Sequence, residues 1–247
     1  MEEISLKAQP LFDIGSFSIT NSLLLTFIVS LILILLGFLI YRKINIVPGK
    51  IQSLVEICIE KLLDLMNLIL GSRHLAEKYL PLIATIFIFI FFSNMLGILP
   101  GVGSLVYHNA AGHVPLLRSP AADLNFTLAF AIISVFLTNF FGMVTVGVLV
   151  HIKKYLNFSN PINFFVGMLE LLSEVARIIS FSFRLFGNVF AGEVLLAIIF
   201  FLLPYVVPVP FLTLEMFFGM IQAFIFAILT LVTLSLHTTV HATETQH

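Results

Sequence analysis

Residues 162–203 read INFFVGMLELLSEVARIISFSFRLFGNVFAGEVLLAIIFFLL, and this stretch decides the fold. It holds no proline and no convincing break, so at 1.5 Å per residue it forms one helix about 60 Å long. A hydrocarbon core about 30 Å thick cannot hold that helix upright, so it must tilt steeply or protrude. Glu170, Glu174, Arg177, Arg184 and Glu193 sit within it. Glu170, Ser173, Arg177, Ser180, Arg184 and Asn188 follow one another every three or four residues, which puts all six on one helical face. The result is a polar stripe on a rod otherwise rich in Phe, Ile and Leu. A charge at the bilayer centre costs from about 3 to more than about 10 kcal/mol, so such groups face a pathway or a partner rather than lipid. Protrusion into the cytoplasm is an alternative for Glu170 to Arg177. It fails for Arg184 and Glu193, which lie 20 and 11 residues before the helix-ending Pro204.

Outside this stretch the chain is equally apolar. Of its 247 residues 60% are hydrophobic and only 10% are charged, and the mean hydropathy is +1.12. A soluble domain needs roughly 25% charged residues to coat its surface, and the same figures exclude disorder. A net charge of −1 with no basic block excludes a nucleic-acid binder. The single cysteine, Cys58, excludes an internal disulfide and a cysteine-based zinc site. This is an integral membrane protein.

Runs free of charge predict spans at residues 21–41, 81–99 and 123–150, the second one broken by Pro100-Gly101-Val102-Gly103. Residues 162–203 and 211–238 then form a hairpin around Pro204, Pro208 and Pro210, and residues 1–20 precede the first span. Residues 49–71 repeat Ile51, Leu54, Val55, Cys58, Leu62, Leu65 and Ile69 at helical spacing with Lys50, Glu56, Glu60, Lys61 and Asp64 between them. That is an amphipathic helix too charged to span, lying at the cytoplasmic interface as a connector or as a docking element. The predicted fold is thus an all-α membrane protein, a single membrane domain over residues 1–247. It has five membrane-embedded helices plus one interfacial helix, the last two helices forming a long tilted hairpin.

Lys and Arg collect in alternate loops. Arg42, Lys43, Lys50, Lys61, Arg73 and Lys78 lie between the first two spans and Lys153 and Lys154 between the third and fourth, whereas the loops on the opposite side hold only Arg118. The bias predicts the N-terminus outside and the C-terminus in the cytoplasm. Acidic residues (Glu2, Glu3, Asp13) before the first span, with Arg42-Lys43 after it, argue against a signal peptide.

Antiparallel packing around the proline turn sets side by side the positions whose numbers sum to about 406. Arg184 then faces Gln222, and Glu193 faces Glu215 within one residue of register; Glu215 and Gln222, seven apart, share a face. Two carboxyls that close in low dielectric cannot both ionise easily. They can exchange protons near physiological pH, or they can serve only as hydrogen-bonded struts. Arg184 stays protonated at any relevant pH. With no carboxylate three or four residues away it wants an anion from another subunit.

Other polar groups carry weaker signals. Asp123, Asn125 and Thr127 start the third helix, where N-caps are common. His237 and His241 are four apart, but no Glu completes an HExxH motif, so no metal is expected. His108 and His113 belong to the outer loop, and the Gly101–Gly103 string is too weak for nucleotide binding. Hydrolase signatures are absent.

Ser180-Phe181-Ser182-Phe183-Arg184-Leu185-Phe186-Gly187-Asn188-Val189-Phe190-Ala191-Gly192-Glu193 closely resembles the signature of subunit a of F-type ATP synthases. Gln222-Ala223-Phe224-Ile225-Phe226-Ala227-Ile228-Leu229-Thr230 resembles that family's last-helix motif. Ser93-Asn94-Met95-Leu96-Gly97 and Ala122-Asp123-Leu124-Asn125-Phe126-Thr127 resemble segments of its second and third spans, and the likeness runs in order over residues 48–236. The resemblance implies a non-catalytic stator subunit beside a rotating ring of c subunits, held with peripheral-stalk b subunits in the rest of the synthase. It implies no cofactor and no metal.

By the same resemblance, Arg184 stands between two offset aqueous half-channels and faces the ring carboxylates. Glu193, Asn188, Glu215, Gln222 and Asp123 match positions lining the outer half-channel or its junction. The position of Glu215 varies in the family between acid and imidazole, and here both members of the pair are acids. The Glu170, Ser173, Arg177 and Ser180 stripe falls where the inner half-channel opens. A proton-conducting subunit in a bacterial plasma membrane is the expectation. The rival is an ion-coupled secondary transporter with Arg184 binding an anionic substrate, which inverted repeats or broken helices would favour; the sequence carries neither. An intramembrane hydrolase lacks its motifs.

Overall fold

The computed structural model describes residues 8–14, 17–45, 48–99, 102, 106–109, 112–155, 161–203 and 205–239. Glu2, Glu3, Pro100, Gly101, Gly103, Pro204 and His241 lie outside them. Five of the helices are long and apolar enough to cross a membrane, and the molecule is an all-α membrane protein. Two small antiparallel hairpins are added to it, β1 (Pro10–Ile14) with β2 (Phe17–Thr20) and β3 (Val106–Asn109) with β4 (Gly112–Pro115). His108 and His113 pair across the second.

α1 (Asn21–Arg42) starts where Thr20 accepts the Leu23 N–H in its side chain. Its buried residues, Asn21, Ser22, Leu25 and Val29, all lie in the first nine positions, so the first part of α1 is the part that packs on the bundle. α2 (Lys50–Leu70) ends at Gly71, whose φ of 69° suits only a residue without a Cβ. Its packing stripe is Leu63, Met66 and Leu70, rotated by about one residue from the periodicity in the sequence. Leu54 and Cys58 are exposed because only the second half of α2 docks on the bundle.

α3 (Arg73–Ile98) begins eight residues before the predicted span and runs through Pro81. The proline removes the N–H that would bond the Glu77 carbonyl, and Glu77 is exposed, so little is lost. α4 (Leu124–Val146) stops at Gly147, where φ is 100°. The predicted 123–150 helix is therefore two elements, with α5 (Val148–Tyr155) folding back on α4 and α6. α6 (Pro161–Leu202) is unbroken over 42 residues, and α7 (Pro208–Thr239) returns along it.

α7 is the centre of the bundle. Half of its most apolar stretch is buried (50%), against 11% for α6, because α7 packs on α2, α3, α4 and α6. One core joins Ile86, Ile90, Phe181, Leu185 and Phe226, and the other joins Met66, Tyr79, Ile83, Leu231 and Leu234. α6 lays one face on α4 and α7 and leaves Leu172, Val175, Ile179 and Phe183 bare. Polar ties fix the register: Asn94 donates to the Gly219 carbonyl at 2.9 Å, and Thr127 and Ser182 share a hydrogen bond of 3.0 Å.

A short 3₁₀ turn (Pro120–Ala122), all of it buried, wedges between α3 and α6. The wedge depends on Gly97, where an added methyl would meet Ser119 Oγ at 2.5 Å and its Cα at 3.1 Å. Gly97→Ala should therefore cost about 1–3 kcal/mol through overpacking. It should lower the Tm of the purified chain in detergent, while Gly37→Ala, whose methyl meets nothing within 4 Å, should not.

Candidate functional site

The stripe read from the sequence lies along the open side of α6. Ser173, Ser180 and Arg184 are exposed, and Glu170, Arg177 and Asn188 are half-buried. Arg184 donates to Ser180 Oγ at 3.4 Å, one turn earlier, and forms no ion pair among the described residues. Gln222 on α7 is buried, and its Nε2 has no hydrogen-bond partner. A permanent cation thus stands on the exposed side of α6, hydrogen-bonded among the described residues to a serine. That arrangement suits an anionic group brought to it from outside the chain.

Toward the α6–α7 turn the hairpin register places Gly192 directly against Glu215. A Cβ on Gly192 would lie 2.7 Å from Glu215 Cδ, so the glycine makes room for the carboxyl. Glu215 is buried and its Oε2 has no hydrogen-bond partner. Glu193 is near enough for the two charges to repel. A cavity of about 180 Å³ opens beside Glu215, lined by Asn188, Gly192, Leu196 and Phe218 among others.

Glu193 has a partner that the sequence reading passed over. Arg118, 9% exposed, reaches it with Nε 3.5 Å from Oε2. The signal was present: Arg118 is the lone cation of the outer loops. Asp123, expected at the outer half-channel, is buried and engaged at both oxygens. Oδ1 accepts the Asn125 N–H at 3.0 Å, which caps α4, and Oδ2 accepts the Ser22 hydroxyl at 2.6 Å, which ties α1 to the cap.

The other end of the hairpin carries a second polar cluster. Glu174, one residue off the stripe and buried, accepts from Arg177 at 2.8 Å and Asn139 at 3.2 Å, and His237 Nε2 lies 3.1 Å from it. Asn139 Oδ1 accepts from the Tyr155 hydroxyl at 2.8 Å and contacts His151 Nε2 at 3.1 Å. Burial, with the charges of Glu174 and Glu170 and against that of Arg177, pushes the Tyr155 hydroxyl above its ordinary range, so it keeps its proton. Of this group the sequence reading chose only Arg177. Glu174, four residues after Glu170 and three before Arg177, lies on the buried edge of the stripe, and the other members come from three further helices.

Comparison with known proteins gives the site its family. The ATP synthase A chain family profile matches residues 23–235. ATP synthase subunit a of Helicobacter pylori strain P12 is 37% identical over 232 residues, covering 91% of this chain and 94% of its own. ATP synthase subunit a of Campylobacter jejuni strain 81-176 is 37% identical over 211 residues, covering 84% and 85%. The family match spans all five long helices and the unpaired Arg184 on the open face of the fourth; the chain belongs to the ATP synthase subunit a family.

Proposed function

We propose that this chain is the ion-translocating stator subunit of an F-type ATP synthase, carrying protons to and from a rotating c-subunit ring. Arg184 carries the reading: it is a fixed, exposed cation without an ion-pair partner among the described residues, midway along the longest helix. It draws each ring carboxyl into ionisation and blocks direct passage between the two half-channels. The outer path runs through Glu193 and Glu215 beside the 180 Å³ cavity, with Asn188 and Gln222 at the junction and Asp123 shaping its mouth. The inner path opens along Glu170, Ser173, Arg177 and Ser180.

Nucleotide chemistry belongs to other subunits, and peripheral-stalk b subunits hold this one against the ring. The N-terminus faces outward and the C-terminus the cytoplasm of a bacterial plasma membrane, as the Lys/Arg bias supports. The experiment is affinity purification of the tagged chain from its native membrane. A ring of small hairpin subunits is the expected companion. Recovery without such a ring, together with Arg184-dependent uptake of an anionic solute, would replace this reading with the secondary transporter.

The inner path has its own test. Single cysteines at Ser173 and Ser180, both exposed, in a Cys58→Ser background, should react with membrane-impermeant thiol reagents from the cytoplasmic side only. Labelling from the outside, or from neither side, removes the inner half-channel.

A further inference from the structure

Arg118 is a loop residue by sequence and a buried one in the fold. The segment that carries it is pinned on both sides. Upstream, the Pro115 carbonyl accepts from Asn21 Nδ2 at 3.3 Å, which ties it to α1. Downstream, the Ser119 carbonyl accepts the Ala122 N–H at 3.2 Å and the Pro120 carbonyl the Asp123 N–H at 3.0 Å, which closes the buried 3₁₀ turn. Asp123 then caps α4 and accepts from Ser22. The guanidinium is therefore delivered to α6 from a fixed backbone, so little ordering entropy opposes its contact there.

A guanidinium cannot shed its charge, so burying it is costly unless a carboxylate faces it. Glu193 supplies that carboxylate, with Oε2 3.5 Å from Arg118 Nε. The other titratable groups on the elements that pack on α6 are few. α7 brings the Glu215 carboxyl, which lies against Gly192; its His237 lies beside Glu174, at the other end of the hairpin. The 3₁₀ turn leads into Asp123, both of whose oxygens are engaged. α4 carries no charged side chain, and α5 places His151 and Tyr155 in the Glu174 cluster. On α6 itself the neutral Asn188 and then Arg184 precede Glu193, by five and nine positions.

Two acids and one fixed cation leave this corner with at most one net negative charge, which a single proton neutralises. Without the cation the same two acids would carry two negative charges in an apolar setting, and would retain a proton instead. Resting on the functional reading above, we propose that Arg118 is a positioning residue of the outer path. It holds the Glu193 carboxyl in place, and its charge lets the Glu193–Glu215 pair release the proton it receives. Uptake forms an O–H bond at a carboxyl as an O–H bond of hydronium breaks, leaving water; release reverses the step, and nothing is oxidised or reduced.

The test uses the assembled complex in liposomes, with inner and outer pH set independently. In Arg118→Gln, passive flux at neutral outer pH should fall at least about fivefold. The outer pH at half-maximal flux should rise by about one unit, because the acids keep their proton longer. The inner-side profile should stay as in the parent. Arg118→Lys keeps the charge and should keep the parent's outer-side inflection. In a Glu193→Gln background, Arg118→Gln should displace that inflection by less than half as much, since its main target is gone. Equal displacement in both backgrounds, equal behaviour of the Gln and Lys variants, or an outer-side profile unmoved by Arg118→Gln would each overturn the proposal. Should Arg118→Gln not assemble, the Glu193→Gln background decides. Assembly there shows that the uncompensated Glu193 charge caused the loss, whereas failure in both backgrounds makes Arg118 a structural strut and overturns the proposal. Failure here leaves the family role standing, since Arg184→Ala tests that role separately.

Discussion

Arg184→Ala is expected to abolish ATP synthesis and ATP-driven proton pumping, by about two orders of magnitude or more, while passive proton leak through the membrane sector persists or rises. The argument begins with solvation. A ring carboxyl passing α6 leaves water or its own proton for a low-dielectric surface, and ionising it there costs on the order of several kcal/mol unless a cation faces it. On the proposed function Arg184 is that cation: it is exposed, it donates to the Ser180 hydroxyl, and Ile179 and Phe183 of the same helix are exposed as well. With alanine in its place the carboxyl keeps its proton while passing the hairpin, so rotation no longer strips and reloads it. A neutral carboxyl can still exchange with each half-channel in turn, which is why leak survives when coupling does not. Arg184→Lys restores little, because a compact ammonium lacks the planar fork and loses its proton more readily in an apolar setting. Dye-monitored flux in vesicles, with ATP or with an imposed potential, checks both halves. Sustained ATP-driven pumping by the alanine variant would sink the coupling mechanism.

What was legible in the sequence followed the length scale of the signal. Periodicity and uncharged runs reveal long helices well, because a 42-residue helix without proline has no other reading in a bilayer. The stripe on α6 was legible for the same reason: it lies within one element. The end of α4 was not legible, since Gly147 in an apolar run looks like any other helical glycine until its φ of 100° is seen. The two small hairpins were missed because four- and five-residue strands beside long apolar helices leave little pattern. Contacts that cross elements were hardest. Arg118 reaches Glu193 across 75 positions of chain, and the Glu174 cluster draws on α4, α5, α6 and α7. Hairpin geometry was the exception. There, counting back from a proline turn sufficed, because two antiparallel helices have only one free parameter. Gly192 against Glu215 lies one residue from that count.

Glu193 and Glu215 should behave as one unit, and the kinetics of their variants should show it. The Glu215 carboxyl lies against Gly192, next in sequence to Glu193, so a proton on one acid is expected to change the affinity of the other. Their supports differ. Glu193 is held by Arg118 at 3.5 Å, whereas Glu215 is buried with Oε2 unbonded at the edge of the cavity. Glu193 is thus the anchored member, and Glu215, with one oxygen unbonded, is on the proposed outer path the one to take an arriving proton. Replacing either with Gln removes one exchangeable site and should slow proton flux about tenfold or more without disassembling the complex. Groups acting in series as a unit are not additive. The Glu193→Gln, Glu215→Gln double variant should therefore be within about twofold of the slower single one, where independent sites would give the product of the two losses. Gly192→Ala offers a control that leaves both acids in place. Its methyl must push the Glu215 carboxyl aside, so flux falls although no titratable group is lost. The readout is initial proton flux against outer-side pH for all four variants, with assembly checked by ring recovery. A double variant slowed by the full product, or two single variants with the parent's flux and pH profile, would remove the pair from the outer path.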